Sequence, residues 1–474
     1  MRSAYNTPFC LLLGLFAASL CSCAQPVASR GSTQGAAPML PAKIVAQREL
    51  HLGRGATGGL LGNGKIKHII IIVQENRSPD DLFNGLPGAD TVTSGANSAG
   101  AQTPLRKISL TAPYDLSHSN NGWNVEFDGG RMDGFNLEHS SCGAPSGKCK
   151  PQPAYRAYGI VPQSQVQPYF TLAEQYAFAD KMFATQEGPS FPAHQYIISG
   201  AATTSQSSGL LVSENPLNAE QKFSGGCDSP AGSLVMLIDA NGTENQQVYP
   251  CFDRPALPDL IQAKGLTWHY YVSHLGPGLW NAPDAIKHVR EGSQYSTDVV
   301  APPSQVLTDV SDGSLANVVW VTPTAKASDH AGITDGSGPD WVASVVNAIG
   351  ASDYWKNSAI FVTWDDWGGW YDHVAPTQYN SFELGFRVPL IAIGPYAKKG
   401  YVSHTQHEFG SLLKFSEEVF GLGSLGATDV RADDLSDCFN FSQKPRKFVP
   451  VHTTLNAAYF LRQPISLEDP DSDH

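Results

Sequence analysis

The chain has 474 residues, of which 41% are hydrophobic and 16% are charged, so it is long enough to bury a large core. Its formal net charge is −13 and it has no extended basic run. This argues against a nucleic-acid partner, because affinity for a phosphate backbone comes from clustered Lys and Arg side chains. After the N-terminal segment, no apolar run approaches the ~20 residues that a membrane span needs.

The N-terminal segment predicts export. Arg2 precedes an apolar stretch over residues 11–20, which is the pattern of a secretory signal rather than a spanning helix. The sequence LCSC that ends this segment resembles a bacterial lipoprotein cleavage box, with Cys23 as the residue that would carry the lipid. We expect a signal peptide over 1–23, a flexible lead-in over 24–60, and a protein that is periplasmic, anchored to the outer membrane through Cys23, or secreted.

The first predicted strand ends in two polar side chains, Glu75 and Asn76. The run over 68–73 is apolar and β-branched without alternation, which is typical of a strand covered on both faces in a parallel sheet. Ligands of such sheets bind beyond the carboxyl ends of the strands, where a carboxylate and an amide oxygen suit a hard cation. The alternative is that Asn76 or Ser78 caps a helix that follows.

The segment GPSFPAH places Ser190 between two prolines, ahead of a predicted helix over 193–199. Helix N-termini bind anions through free N–H groups and the helix dipole. A serine at this position could therefore attack phosphorus while the amides hold the phosphoryl oxygens, provided that a base or a metal activates the hydroxyl. The alternative is that Ser190 is simply an N-cap.

Five cysteines follow the signal region. Cys142 and Cys149 flank a short loop, and Cys227 and Cys251 flank a longer polar one. An oxidising compartment favours these two local disulfides and leaves Cys438 unpaired. Zinc binding is the competing interpretation, although no CxxC spacing supports it.

Strands and helices alternate in the second half of the chain. Apolar runs over 316–322, 359–364 and 388–394 are accompanied by helix-like segments over 339–349, between the first two runs, and over 408–420, after the last. This alternation predicts an α/β fold in which a mainly parallel central sheet is sandwiched by helices, with loop insertions. The polar stretch from about 200 to 250 is interpreted as one such insertion.

Two of these predicted strands lead to acidic residues. The run AIFVTW leads directly to Asp365 and Asp366, and the run ANVVWVT leads through a loop to Asp329 and His330. In a parallel sheet these acidic ends meet at one edge. Two adjacent carboxylates can share one cation only where the strand has ended, and the glycine pair in WGGW would permit that turn. The alternative is a solvated acidic turn.

Six segments, in order, resemble the conserved blocks of the phosphoesterase family. They are QENRSPDDLFNG, DLSHSNNGWNVEFDGGRMDGF, GPSFPAHQYIISG, ASDHAGITDG, TWDDWGGWYDHV and LGFRVPLIAIGPYAKKGYVSH, within about residues 65–440. That family contains bacterial and plant non-specific phospholipases C and a related acid phosphatase. The resemblance implies an alkaline phosphatase-like fold, with a single catalytic domain over 61–465 and an acidic tail over 466–474.

The resemblance also implies roles for individual residues. The family's metal ligands are matched by Glu75, Asn76, Asp365 and Asp366, together with Ser190. Ser190 matches the nucleophile that forms a covalent phospho-enzyme. Histidines that contact the phosphoryl group or act as general acid are matched by His118, His330 and His288. The chain departs from the family after Ser190, where it reads Phe191-Pro192-Ala193-His194, and at Trp367, where many members have histidine.

The implied activity is metal-dependent hydrolysis of phosphoesters through a phosphoserine, with phospholipase C-type cleavage of phospholipid diesters at a membrane surface as the expected reaction. An acid phosphatase acting on phosphomonoesters is one alternative, and a non-catalytic surface-binding lipoprotein is another. The cofactor would be one divalent metal ion, and oxygen-only ligands favour calcium or magnesium over zinc. The tryptophans at 280, 364, 367 and 370 are candidates for lining a choline or acyl site.

Overall fold

A large central sheet positions the residues singled out above. The computed structural model describes residues 60–141 and 153–467. The predicted signal peptide, the lipid anchor at Cys23, the lead-in before Leu60 and the Cys142–Cys149 pair lie outside the described residues, as does most of the predicted tail. The boundaries of the single catalytic domain stay a prediction.

The strands, in chain order, are β1 (His68–Gln74), β2 (Ser94–Ala96), β3 (Gln102–Pro104), β4 (Arg106–Lys107), β5 (Asp115–Leu116), β6 (Ser140–Ser141), β7 (Gly159–Ile160), β8 (Ala177–Phe183), β9 (Leu211–Val212), β10 (Val235–Ile238), β11 (Glu244–Val248), β12 (Trp268–Tyr271), β13 (Val299–Val300), β14 (Val318–Val321), β15 (Ser358–Trp364), β16 (Arg387–Ile393), β17 (Tyr401–Ser403) and β18 (His407–Glu408).

The α-helices are α1 (Pro79–Leu82), α2 (Asn120–Phe127), α3 (Gln167–Gln175), α4 (Ser190–Ser199), α5 (Leu257–Ala263), α6 (Lys287–Arg290), α7 (Tyr295–Asp298), α8 (Gln305–Asp312), α9 (Gly338–Ala351), α10 (Phe409–Phe420) and α11 (Ala457–Phe460). Helix α4 packs against α10, and α3 packs against α9.

The central sheet has the order β13-β12-β14-β1-β15-β16-β8-β17, and β18 also pairs with β8. Strand β1 runs parallel to both of its neighbours, β14 and β15. Strand β16 is antiparallel to both β15 and β8, so it runs against the remaining strands. The predicted α/β class with a mainly parallel sheet is therefore confirmed.

Strand β1 lies in the middle of the core. Its residues Ile69, Ile70, Ile71 and Ile72, and the following Val73, have no exposed surface. Burial of each such side chain contributes roughly 1.5–3 kcal/mol relative to exposure. Strands lie on both sides of β1, and no β1 side chain beyond His68 reaches the surface. Both faces of the strand are therefore covered, which explains why its apolar residues do not alternate with polar ones.

No helix in residues 60–141 or 153–467 has the length and apolar character needed to cross a bilayer.

The predicted insertion forms a small sheet of its own. Strands β9, β10 and β11 pair in an antiparallel arrangement. A disulfide joins Cys227 to Cys251 across 24 residues, as predicted, and Cys438 is a buried free cysteine. The part of the insertion between these two cysteines is thus closed covalently.

Removing this disulfide should destabilise the protein. In the chain-entropy account, a closed loop of this length contributes about 3–4 kcal/mol by restricting the unfolded chain. We expect the double variant Cys227→Ser with Cys251→Ser to have a free energy of unfolding lower than that of the wild type by that amount. Its urea midpoint should therefore be lower. Adding a reductant to the variant serves as the control: it can act there only on the predicted Cys142–Cys149 pair, so it should lower the midpoint of the variant less than that of the wild type. If reductant leaves the midpoint of the wild type unchanged, the stabilising role is refuted.

Candidate active site

Two acidic residues meet at the carboxyl edge of the sheet because they follow paired strands. Gln74 of β1 is in register with Trp364 of β15, and Glu75 and Asp365 are the next residues of each chain segment. The backbone N–H of Asn76 donates to Asp365 Oδ1 at 3.2 Å. Glu75 and Asp365 have no exposed surface. The predicted meeting of the acidic strand ends is therefore confirmed.

The helix-capping alternative applies to Ser78 and not to the residues before it. Ser78 precedes α1, and its hydroxyl accepts the N–H of Asp81 at 3.2 Å. The backbone of Asn76 has φ +64°, in the left-handed region that Asn tolerates better than most side chains. Ser78 thus caps α1, whereas Asn76 belongs to the site.

The glycine pair after Asp366 allows a close approach of three segments. Gly368 has φ +63°, and a Cβ there would lie 2.4 Å from the carbonyl oxygen of Asn76. Gly369 has φ +70°, and a Cβ there would lie 2.5 Å from Leu116 Cβ. The turn is packed against the end of β1 and against the segment that leads to His118, so it is not the solvated acidic turn of the alternative interpretation.

Ser190 is the first residue of α4 and faces Glu75. Its hydroxyl donates to Glu75 Oε2 at 3.1 Å, and its side chain is fully buried. The N-cap interpretation is wrong, because Pro189 occupies that position. The predicted anion cradle from the first-turn amides is also wrong at two positions: the N–H of Phe191 donates to Asn215 Oδ1 at 2.9 Å, and Pro192 has no N–H.

His194 belongs to the same cluster, although the sequence marks it only as a departure from the family pattern. It lies four residues after Ser190, on the same face of α4. Its Nε2 is 3.3 Å from Glu75 Oε1 and 4.0 Å from Asp365 Oδ2, and its Nδ1 is 3.0 Å from the hydroxyl of Tyr270. The spacing of four was the signal that could have found it.

Electrostatics in this cluster suit a bound cation. Burial, and then the nearby Asp365, raise the pKa of Glu75 well above its ordinary value. Burial lowers the pKa of His194 to about 4, so its ring is neutral at pH 7. Among the described residues, no lysine or arginine pairs with Glu75. Two buried acids without a basic partner need a proton or a cation.

The donor atoms of the cluster also fit a metal ion. One ligand atom from each of Glu75, His194 and Asp365 lies within 4.8 Å of the others. The buried Oδ1 of Asn76 has no hydrogen-bond partner in the described part of the chain. Because His194 offers a nitrogen, the donor set is not oxygen-only, and the stated reason for preferring calcium or magnesium over zinc no longer holds.

Asp366 lies beside this cluster and shapes the turn. Its Oδ1 accepts the N–H of Gly368 at 2.7 Å, and its charge also contributes to the raised pKa of Glu75. The role of Asp366 as a metal ligand stays a prediction.

Two buried histidines lie next to each other, and one of them, His118, contacts Asn76. His118 Nδ1 donates to the carbonyl oxygen of Leu116 at 2.8 Å, which leaves Nε2 to accept from Asn76 Nδ2 at 3.1 Å. His330 Nδ1 donates to the carbonyl oxygen of Ala331 at 2.7 Å. The two rings meet edge to face with centroids 5.7 Å apart.

Asp329, which precedes His330, supports the fold of the site. Its carboxylate accepts the hydroxyl of Tyr169 at 2.6 Å and the indole N–H of Trp364 at 3.2 Å. Its carbonyl oxygen accepts two hydrogen bonds from the guanidinium of Arg77. These contacts fix the loop that carries His330 to the end of β1.

His288 is not brought to this cluster. Its side chain is 40% exposed, with Nδ1 2.5 Å from Asp253 Oδ1 and Nε2 2.9 Å from Asp259 Oδ1. Both ring nitrogens are therefore engaged by aspartates near the surface, which corrects the predicted position beside the substrate phosphate.

Three of the four tryptophans suggested for a choline or acyl site are core residues. Trp364, Trp367 and Trp370 have no exposed surface. The indole N–H of Trp367 donates to Glu126 Oε2 at 2.6 Å, and the guanidinium of Arg77 lies over the ring of Trp370. Trp280 is 5% exposed and lies near the ring of His194.

The sequence model of the Phosphoesterase family matches residues 66–423, which contain every residue of the cluster just described. The chain belongs to the Phosphoesterase family. The non-hemolytic phospholipase C of Pseudomonas aeruginosa is 24% identical in an alignment that covers 92% of this chain and 65% of that protein. Phospholipase C B of Mycobacterium tuberculosis is 22% identical, over 91% of this chain and 88% of that protein. This phosphoesterase thus spans slightly less than two thirds of the Pseudomonas relative.

Among solved structures, a protein in the alkaline phosphatase superfamily from Vibrio parahaemolyticus shares 12% identity, covering 84% of this phosphoesterase and 79% of that chain, with a TM-score of 0.37. A TM-score this low carries no weight for the fold, which rests on the sheet order described above.

Proposed function

We propose that this phosphoesterase cleaves phospholipid diesters in the manner of a phospholipase C, with Ser190 as the nucleophile. The observation that carries the proposal is the position of the Ser190 hydroxyl, 3.1 Å from Glu75 Oε2, beside Asp365 and His194 at the carboxyl edge of the sheet. The names of the relatives that match most of the chain support cleavage of the phospholipase C type.

Ser190 attacks phosphorus through Oγ. The new Oγ–P bond forms as the bond from phosphorus to the alcohol oxygen breaks, and the hydroxyl proton of Ser190 passes to Glu75 Oε2, which accepts its hydrogen bond. Glu75 holds the hydroxyl in place through its hydrogen bond, and the burial of both groups excludes competing water. Water then hydrolyses the phosphoserine and restores the hydroxyl.

A divalent cation held by Glu75, Asn76, Asp365, His194 and Ser190 would lower the pKa of the hydroxyl and offset charge on the phosphoryl oxygens. His118, which contacts Asn76, and His330, whose ring packs against that of His118, are assigned the proton that the leaving alcohol needs. The ring that donates must be the imidazolium, because the Nδ1 proton of each ring is held by a backbone carbonyl.

The two alternative functions are less well supported. Phosphomonoester hydrolysis has no specific observation in its favour. A non-catalytic binding role leaves unexplained why a serine, two acids and a histidine converge in one buried cluster. Export, with or without a lipid at Cys23, remains part of the proposal, as does contact with a membrane surface.

The substrate proposal is tested by product analysis. The purified protein should convert phosphatidylcholine vesicles to diacylglycerol and phosphocholine, lose this activity in EDTA, and regain it when a divalent metal is added in excess. Hydrolysis of 4-nitrophenyl phosphate should be much slower. Release of free choline with phosphatidic acid, or activity confined to the monoester, would contradict the proposal.

A further inference from the structure

A cavity of about 470 Å³ is lined by residues that adjoin Ser190 and His118 in the chain. One wall contains Pro189, which precedes Ser190, and Ser119, which follows His118. The opposite wall is built from the insertion and includes Leu217, Phe223, Leu234 and Met236. The cavity therefore lies between the catalytic fold and the insertion, next in sequence to two residues of the site.

Hydrogen bonds hold the insertion wall in place. Asn215 Oδ1 accepts the N–H of Phe191 at 2.9 Å, and Glu214 Oε1 accepts the N–H of Asn120 at 2.9 Å. Phe191 follows Ser190 in α4, and Asn120 begins α2 just after His118. The wall is thus attached to both of the segments that carry these site residues.

Backbone hydrogen bonds and a disulfide stabilise the insertion itself. Leu217 and Leu234 exchange two backbone hydrogen bonds of 2.9 Å. Met236 belongs to β10, and the Cys227–Cys251 disulfide closes the loop that contains it. A cavity with such walls is formed before a ligand arrives, as is usual for small-molecule sites.

The lining combines apolar side chains with neutral amide and hydroxyl groups, which suits an uncharged ligand that has both apolar chains and polar oxygens. Among the described residues, no lysine or arginine lines the cavity, so it lacks the charged donors that bind a second phosphate or a nucleotide. The carboxylate of Glu214 is the one acidic group among the described lining residues, and its Oε1 accepts the N–H of Asn120. The volume is far larger than a phosphoryl group requires and falls in the range of sites for whole organic ligands.

We propose that this cavity binds the acylglycerol portion of the substrate, which is the alcohol that leaves when Ser190 attacks. The inference rests on the proposed function and deepens it, because it makes the insertion the element that selects lipid diesters over small ones. Leu234, which is 43% exposed, would contact the acyl chains at the mouth of the cavity.

The test compares two phosphodiesters that differ only in their acyl chains. Dihexanoyl phosphatidylcholine, used as a monomer in solution, and glycerophosphocholine both release phosphocholine, which is measured by phosphorus NMR. We expect the wild type to prefer the acylated substrate in kcat/KM by at least about tenfold, and Leu234→Asp to remove that preference. Gln247→Leu, which makes an exposed lining residue apolar, should increase it.

Leu275→Asp is the matched control, because Leu275 is 57% exposed and does not line the cavity. It should leave the preference unchanged. A wild type that releases no phosphocholine from either substrate refutes the proposed function. A wild type that cleaves both, while Leu234→Asp and Gln247→Leu leave the ratio of the two kcat/KM values unaltered, refutes the acylglycerol site alone.

Discussion

Ser190→Ala is expected to lower phospholipid hydrolysis by at least about a thousandfold, because a methyl group cannot form the bond to phosphorus. The fold should survive. Ser190 makes one buried hydrogen bond, to Glu75 Oε2, and the loss of such a bond costs about 1 kcal/mol of unfolding free energy. The rate is measured as phosphocholine release, and stability by thermal unfolding.

Ser416→Ala provides the matched control for this variant. Ser416 is also a buried helical serine, and its hydroxyl donates to the carbonyl oxygen of Leu412 at 2.9 Å. It should lose a similar amount of stability and keep full activity. In the wild type, rapid acid quenching followed by mass spectrometry should find phosphate on the peptide that contains Ser190. Turnover retained in Ser190→Ala would overturn the nucleophile assignment.

Glu75→Gln is expected to remove most of the bound divalent metal and to lower hydrolysis by at least about a hundredfold, because a carboxylate ligand is replaced by a neutral amide. Metal content is measured by elemental analysis of the purified protein, which also identifies the ion. Glu220→Gln, at a glutamate with 74% exposure, is the control and should change neither quantity.

When metal is absent, Glu75→Gln should raise the stability of the protein. In EDTA at neutral pH, Glu75 and Asp365 stay buried next to each other, and burial, followed by the charge of Asp365, raises the pKa of Glu75. Replacing Glu75 with Gln removes one of the two acids, so the chelated variant should melt at a higher temperature than the chelated wild type. Unchanged metal content, or a chelated variant that melts lower, would contradict a cation site at this position.

The acids of the site were predictable because each follows a buried strand almost directly. The apolar run that ends at Val73 and the run that ends at Trp364 mark where Glu75 and Asp365 must lie if the strands are parallel. Neighbouring parallel strands then place them side by side. This inference needs only local periodicity and the rule that ligands bind at carboxyl ends.

His194 was missed because its role depends on where α4 begins. The predicted helix started at residue 193, whereas the observed helix starts at Ser190. If the helix began at residue 193, Ser190 would lie outside it, and the relative positions of the Ser190 and His194 side chains would not be determined by helical geometry. With the observed start they are four residues apart on one helical face and both contact Glu75.

Other features depend on distant contacts that local sequence does not encode. The aspartates that engage His288 come from positions 253 and 259, well removed in sequence. The antiparallel direction of β16 was equally hidden, since its seven residues are all buried and read the same in either direction.

The register between β1 and β15 fixes the spacing of the acidic residues that follow the two strands. Adjacent strands lie about 4.8 Å apart, and backbone hydrogen bonds fix that interval whatever the length of chain between Gln74 and Trp364. Segments inserted between them can grow, shrink or be exchanged without altering the distance between Glu75 and Asp365. If the insertion selects the substrate, as proposed above, transplanting another relative's insertion between these strands should change which phosphodiester is cleaved but not the way it is cleaved.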